Sequence, residues 1–345
     1  MAPEAQEPDL QPYPLYDTTF TLHRVSPLYT GLNHPLDNTT LQQNARRFRD
    51  ILAGDVLRGV RVGLGPEDDV LARVGALQSV TWRMLPDEDF WNPDEEGDTT
   101  MDTTMGLGAG KGMLVQVSYE KTGYRAILLR GDRNVGGEGK DGKGFEHFPL
   151  LLTRMPASLR ETFTEFLATT FDARVAVLHL SGPILTMSFE KYIADCRVDE
   201  DGEAMDLAES SRALRKVIKD VRVLIGFDFP GGNTSLQTIE FSIDQADIPQ
   251  LLQKGKKVGN KESPFMNALS SFVQAHLALD MGHERLGILR IACGSFVLGA
   301  EGRVKLTAPT VVGGLDFQRL ATWNLVDGLV EVGKGGKLSS GKEVT

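Results

Sequence analysis

Apolar residues recur every three or four positions in some stretches of the chain and alternate with polar ones in others. These two periods separate helices from strands. Alternation predicts a strand from Thr18 to Val25. Ser26-Pro27-Leu28-Tyr29 follows as a turn, because proline holds Ser26 to extended angles. Leu41, Ala45, Phe48 and Leu52 form one stripe and predict a helix from Asn38 to Ala53, with Asn38 or Thr39 as cap and Gly54 as stop. Val80 to Leu85 reads as a short strand. Met113, Val115, Val117 and Tyr119 face one way, and with Tyr124 to Arg130 they predict a β-hairpin across Lys121-Thr122-Gly123.

In the middle of the chain, Ser158-Leu159-Arg160-Glu161 fits a capping box that opens a helix, with Leu159, Phe163, Phe166 and Thr170 on its stripe and Leu167 beside it. Arg174 to Leu180 reads as a strand. Ile184 to Cys196 reads as a helix carrying Leu185, Phe189, Tyr192 and Cys196. Arg212 to Lys219 ends a helix in basic residues, which suits its dipole. Val221 to Phe229 and Leu236 to Ile243 read as strands joined by Pro230-Gly231-Gly232-Asn233. Ser263 with Pro264 opens a further helix whose buried face is Met266, Leu269, Phe272, Val273 and Leu277. Leu286 to Leu298 is expected as one long strand bent at Gly294, with Arg303 to Leu306 returning across Gly299 to Gly302.

Two stretches break the periodicity. The insert 87–112 begins acidic and ends glycine-rich, and 131–144 mixes glycine with charge; both are expected to be flexible loops. Residues 1–16 read as a disordered lead-in and 333–345 as a disordered tail. An acidic linker at 198–211 is the expected boundary between an N-terminal domain, 17–197, and a C-terminal domain, 212–332.

Composition narrows the function. At 41% hydrophobic and 24% charged, the 345 residues suit packed domains. Two cysteines exclude a disulfide scaffold and a multi-cysteine zinc site. No apolar run approaches the ~20 residues of a membrane span, and the proline-rich, acidic start lacks the form of a secretory signal, so cytosol or nucleus is the expected compartment. The net charge is −10, with the acid concentrated in residues 1–211 and residues 212–345 net basic. Its overall field is wrong for unspecific phosphate binding, although a local basic face is open to the C-terminal part.

Catalytic signatures are missing. Gly106-Leu107-Gly108-Ala109-Gly110-Lys111-Gly112 fails as a phosphate loop, since Met105 occupies the first glycine position and Gly112 that of the hydroxyl residue. The six histidines are scattered, and His276 with His283 matches no common zinc spacing. No Gly-x-Ser-x-Gly elbow occurs, and the carboxylates cluster in solvated runs where desolvation cannot tune them. No enzyme, cofactor or metal is therefore expected. Basic clusters are more informative: Arg212, Arg215, Lys216, Lys219 and Arg222 lie along one segment, and Lys254, Lys256, Lys257 and Lys261 along an expected loop. Either is a solubilising surface or a phosphate contact, and the DNA-contact candidates are Arg215, Lys216, Lys219, Lys256 and Lys257.

The segment Thr18-Thr19-Phe20-Thr21-Leu22-His23-Arg24-Val25-Ser26-Pro27-Leu28-Tyr29 resembles the opening strand and turn of the CENP-L family, inner-kinetochore proteins. Further likenesses follow in order: Phe148-Pro149-Leu150-Leu151-Leu152, Thr170-Phe171-Asp172, Phe265-Met266 and Arg285-Leu286. Fungal members are the nearest in pattern. The resemblance implies an α/β fold of α+β type, with twisted, largely antiparallel sheets flanked by helices, similar to the bacterial DNA-binding protein RdgC. It implies a non-enzymatic nuclear subunit at the centromere that pairs with a CENP-N-like chain among other inner-kinetochore subunits. The pair would link CENP-A nucleosomes or their DNA to the kinetochore for chromosome segregation. A homodimer is implied as an alternative for the isolated chain, and direct RdgC-like DNA binding as an alternative function. The resemblance places partner contact near the C-terminal end. The candidates are Ile288, Leu289, Ile291, Phe296 and Leu298 on the long strand, with Arg303 and Lys305 on the next. Either strand is expected to pair with the partner edge to edge, unless it is central in its own sheet.

Overall fold

The computed structural model describes residues 12–31, 36–57, 74–91, 110–131, 140–141, 144–198, 203, 205–227, 237–258, 263–309 and 316–336. The expectations for residues 1–11, 92–109, 132–139 and 337–345, for the turn at 230–233 and for Lys261 lie outside them. The chain forms two compact units, 1–16 with 23–176 and 17–22 with 177–345. Both are mixed α+β structures built on antiparallel strand pairs, in agreement with the fold the resemblance implies. The boundary between units is crossed inside β1 (Thr19–Val25).

The first unit holds a meander of β3 (Leu77–Leu85), β4 (Gly112–Tyr119), β5 (Gly123–Leu129) and β8 (Leu150–Arg154). Helices α1 (Asn38–Leu57) and α2 (Ala157–Phe171) supply the apolar residues that cover one face. The expected stripe of α1 is buried throughout, and Phe48 meets Phe163 at 5.4 Å and Phe166 at 5.2 Å. Trp82 packs against Phe163, Phe166 and Phe171 at 6.0–6.1 Å between centroids. Burying such rings contributes more than any other core residue type. A small sheet adds β2 (Leu28–Tyr29), β6 (Lys140–Asp141) and β7 (Phe145–Glu146). Its Glu146 is buried and accepts a hydrogen bond from Arg130 at 2.8 Å, while the Arg130 guanidinium stacks on Phe148 at 4.7 Å.

The second unit orders its strands β11-β10-β12-β13-β14, and residues 19–21 of β1 close the far side. These are β10 (Val221–Phe227), β11 (Thr238–Ile243), β12 (Leu286–Ala292), β13 (Phe296–Gly299) and β14 (Arg303–Leu306). A short strand, β9 (Val175–Val177), precedes them. Helix α3 (Gly182–Asp195) lies against β12, α6 (Pro264–Leu277) and α7 (Asp316–Gly333). Phe189 touches Phe265 at 4.9 Å, and Tyr192 touches Phe296 at 5.0 Å. Two further helices are α4 (Leu207–Ile218) and α5 (Ile248–Val258), the latter packed on α6. Gly255 of α5 is required there, because a Cβ would collide with the Pro264 carbonyl.

Several local expectations are corrected. Asp37, not Asn38 or Thr39, caps α1: its Oδ1 accepts the Thr40 N–H at 2.8 Å, and the helix runs through Gly54. Ser158 caps nothing, since α2 begins at Ala157 after the extended Pro156 and Ser158 falls within its first turn. The strand expected from Arg174 to Leu180 shrinks to β9. The expected loop around Lys254, Lys256 and Lys257 is helix α5. Glu88–Phe90, inside the expected flexible insert, form a short 3-10 turn, and Trp91 after it packs on Tyr13 at 5.6 Å. The long strand from Leu286 to Leu298 is two strands folded into a hairpin. α4 fixes that turn: Ser295 Oγ donates to the Val217 carbonyl at 2.8 Å, and Gly294 N–H donates to that of Ile218 at 2.6 Å. On α6, Phe272 and Leu277 belong to the predicted buried face but are exposed, at 50% and 47%.

Candidate partner and nucleic-acid interfaces

The partner candidates separate by burial. Ile291, Phe296 and Leu298 are core residues, Ile288 is half-buried, and Leu289, Arg303 and Lys305 are exposed. Neither candidate strand offers a free edge. β12 is flanked by β10 and β13, and β14 by β13 and β1, where Thr19 pairs with Lys305 and Thr21 with Arg303. Edge-to-edge pairing through either strand is thus blocked in the folded chain. The sequence pattern of β14 carries no sign that β1 returns to cover it.

The open position in this unit, among the described residues, is the outer side of β11. Phe227 N–H donates to the Gln237 carbonyl at 3.0 Å, which makes that pair hydrogen-bonded. Antiparallel pairs alternate, so Ile239, Phe241 and Ile243 bond inward to β10. Thr238, Glu240 and Ser242 therefore direct their backbone N–H and C=O groups away from the sheet. Ile239, Phe241 and Ile243 stay half-buried, so the strand ends in an incompletely covered apolar margin. Glu240 pairs with Arg290 of β12 at 3.1 Å on the exposed side.

The basic candidates Arg215, Lys216, Lys219, Lys256 and Lys257 are all exposed. Asp206 caps α4 by accepting the Glu209 N–H at 2.7 Å, so the helix presents Arg215 and Lys216 in its last turn. With Ser211, Arg212 and Gln245 they line an open groove of about 560 Å³. Lys219 follows with φ of 52°, and its aliphatic stem lies against Gly294. Lys256 and Lys257 end α5 and do not line that groove.

The perturbed groups elsewhere serve packing. Glu190, within α3, is held up to about 7 chiefly by burial; its Oε1 accepts the Met266 N–H at 2.9 Å and so caps α6, while Oε2 is buried without a partner. Ser263 stands at the cap position of α6, but its side chain makes no capping bond. The only signal for Glu190 in the sequence is an acid between Phe189 and Tyr192 on an apolar helix face. His23 is pushed down to about 4, first by burial and then by Arg160, and its Nε2 lies 2.9 Å from Thr153 Oγ1. Burial pushes the Cys196 and Cys293 thiols up, the latter to about 11, the opposite of an activated nucleophile. Among the described residues, no group of three His, Cys, Asp or Glu side chains could hold a metal ion. No described helix is long and apolar enough to cross a membrane.

A family model described as Centromere protein L matches residues 14–333. The chain belongs to the CENP-L family. Its match starts before β1 and ends with α7, so both units are family structure, including α7, a helix beyond the last strand expected from the sequence. Membership makes this chain a nuclear component of the centromere and kinetochore that serves chromosome segregation alongside other kinetochore proteins. CENP-L is a structural family of the kinetochore. No curated protein matches the chain.

Proposed function

We propose that this CENP-L subunit pairs through its C-terminal unit with a CENP-N-like chain, and that the pair joins CENP-A chromatin to the inner kinetochore. The outward-facing donors and acceptors of β11 support this reading, together with the half-buried apolar margin of that strand. A partner strand laid on β11 would satisfy those groups and cover Phe241. Leu289 and the Glu240–Arg290 pair extend the surface, while Arg303 and Lys305 act from the face of the sheet. Ser242→Pro tests it, because the substitution removes an outward N–H and keeps the bonds to β10. Size-exclusion chromatography with light scattering should give a folded monomer that no longer co-elutes with the partner. Wild-type co-elution of that variant would end the β11 assignment.

A second reading is direct DNA binding through the α4 groove, favoured by the convergence of Arg212, Arg215 and Lys216. Charge reversal of Arg215, Lys216, Lys219, Lys256 and Lys257 should then weaken duplex binding and flatten the salt dependence by about 0.9 per lost phosphate contact. At −10 overall, the isolated chain is expected to bind duplex poorly at physiological salt. Tight binding with a steep salt slope would favour this reading over the adaptor one.

A further inference from the structure

Strand register in the first unit assembles a polar row that the sequence does not display. Thr81 of β3 lies opposite Gln116 of β4, Gln116 opposite Arg125 of β5, and Arg125 opposite Arg154 of β8. Alternation puts all four on the face turned away from Trp82, Val115 and Ala126, the residues packed toward α1 and α2. The neighbouring row on that face adds Ser79 opposite Ser118. Thr81, Ser79 and Arg154 are exposed, and Gln116, Ser118 and Arg125 half-buried.

Two like charges stand directly opposite each other here. Backbones of facing antiparallel residues approach to about 5 Å, and equal charges at such positions destabilise a sheet. Among the described residues, no carboxylate pairs with Arg125 or Arg154. The third arginine of the face, Arg83, is held over Trp91 at 4.4 Å. Burial, and then the charge of Arg154, press Arg125 toward losing its proton. Among the described residues the pair therefore stands without a compensating carboxylate, and Thr81, Gln116, Ser79 and Ser118 on the same face are able to donate hydrogen bonds.

We propose that this row is a docking site for a phosphorylated serine or threonine side chain of a protein partner. The charge balance selects that occupant. A phosphate monoester carries about two negative charges and several acceptor oxygens, which matches two guanidinium groups, each able to bind it in a bidentate fork. A carboxylate supplies one charge and leaves one arginine uncompensated. Duplex DNA supplies one charge per phosphate along a track and needs a longer run of cations than this row holds.

The test uses the full chain and a glycine/serine/alanine peptide with one phosphoserine, alongside its unphosphorylated and glutamate forms and a 20-base-pair duplex. Calorimetry should show binding of the phosphopeptide alone, weakened at least tenfold by R125Q or R154Q and partly retained by R154K. In phosphate-free buffer, R154Q should melt at or above the wild-type temperature, since it removes a like charge from an exposed position. Unchanged phosphopeptide affinity in R154Q overturns the proposal. So does a glutamate peptide that binds as tightly, which would make this an acidic-segment site, or a tenfold loss of duplex binding in R154Q, which would make it a nucleic-acid site.

Discussion

Replacing Glu190 with Gln should remove a pH dependence built into the second unit. The native carboxyl titrates at about 7 against an ordinary 4.5, because burial outweighs the hydrogen bonds it accepts from the α6 amides. Below 4.5 the folded and unfolded chains both hold the proton and no difference arises. Between 4.5 and about 7 the folded chain retains a proton that the unfolded chain has released, so stability falls as pH rises, by about 1.4 kcal/mol per pH unit at most. The whole interval amounts to at most about 3 kcal/mol, fully lost above pH ~7.5. Gln at this position keeps an oxygen for the Met266 N–H and carries no charge to desolvate. The carboxylate's hydrogen bonds are already part of the shift, so with E190Q matching wild type near pH 5 we expect it to exceed wild type by about 2–3 kcal/mol at pH 8. E190A should lose stability at every pH, because α6 then starts without its cap. Urea unfolding from pH 5 to 8.5 measures the difference between variants, which cancels His23 and the other titrating groups. Hydrogen exchange over residues 263–277 assigns it to α6. Parallel wild-type and E190Q profiles across that range would refute the reasoning.

Three other outcomes are expected. His23 is held neutral at about 4 against 6.5, so its contribution is lost as pH falls through that window, up to about 3 kcal/mol, and His23→Leu should flatten the acid limb of a stability–pH curve. Glu146→Ala leaves Arg130 half-buried without its carboxylate and should cost about 3 kcal/mol in thermal or denaturant unfolding, whereas the exposed Arg49–Asp50 pair should cost under about 1 kcal/mol when broken. Gly255→Ala must separate α5 from α6 and should lower the melting temperature more than Gly54→Ala, where a Cβ meets nothing within 4 Å.

Much of the fold is legible wherever one face is buried and the other wet. The α1 stripe, the β4–β5 hairpin and the apolar side of α2 follow from periodicity, because burial writes it. Helix ends are less legible: Asn38 and Thr39 both have capping side chains, yet Asp37, one residue earlier, is the acceptor that caps α1. Apolar runs on both faces of Leu286 to Leu298 concealed a hairpin, since Cys293-Gly294-Ser295 becomes a turn only against the carbonyls of α4. On α6 the stripe continued through Phe272 and Leu277 beyond the point where the unit covers it. Site geometry was less visible still. The exposure of Arg215 and Lys216 is a local helix property, but the Arg125–Arg154 juxtaposition and the closed edges of β14 arise from register between distant segments.

The strand exchange at β1 has a practical consequence for dissecting the protein. A fragment beginning at residue 177 contains every described helix of the second unit but lacks Thr19 to Thr21, so the β14 edge from Arg303 to Lys305 is left bare. Such a fragment is an acceptor for any passing strand and is prone to self-association with no bearing on the native assembly. A peptide spanning Asp17–Leu22, supplied in trans or fused through a linker, should complement the fragment and suppress that association. The same separation in sequence gives the unit a high contact order: its sheet closes only when residues near both ends of the family region meet, which predicts slow, late completion of folding.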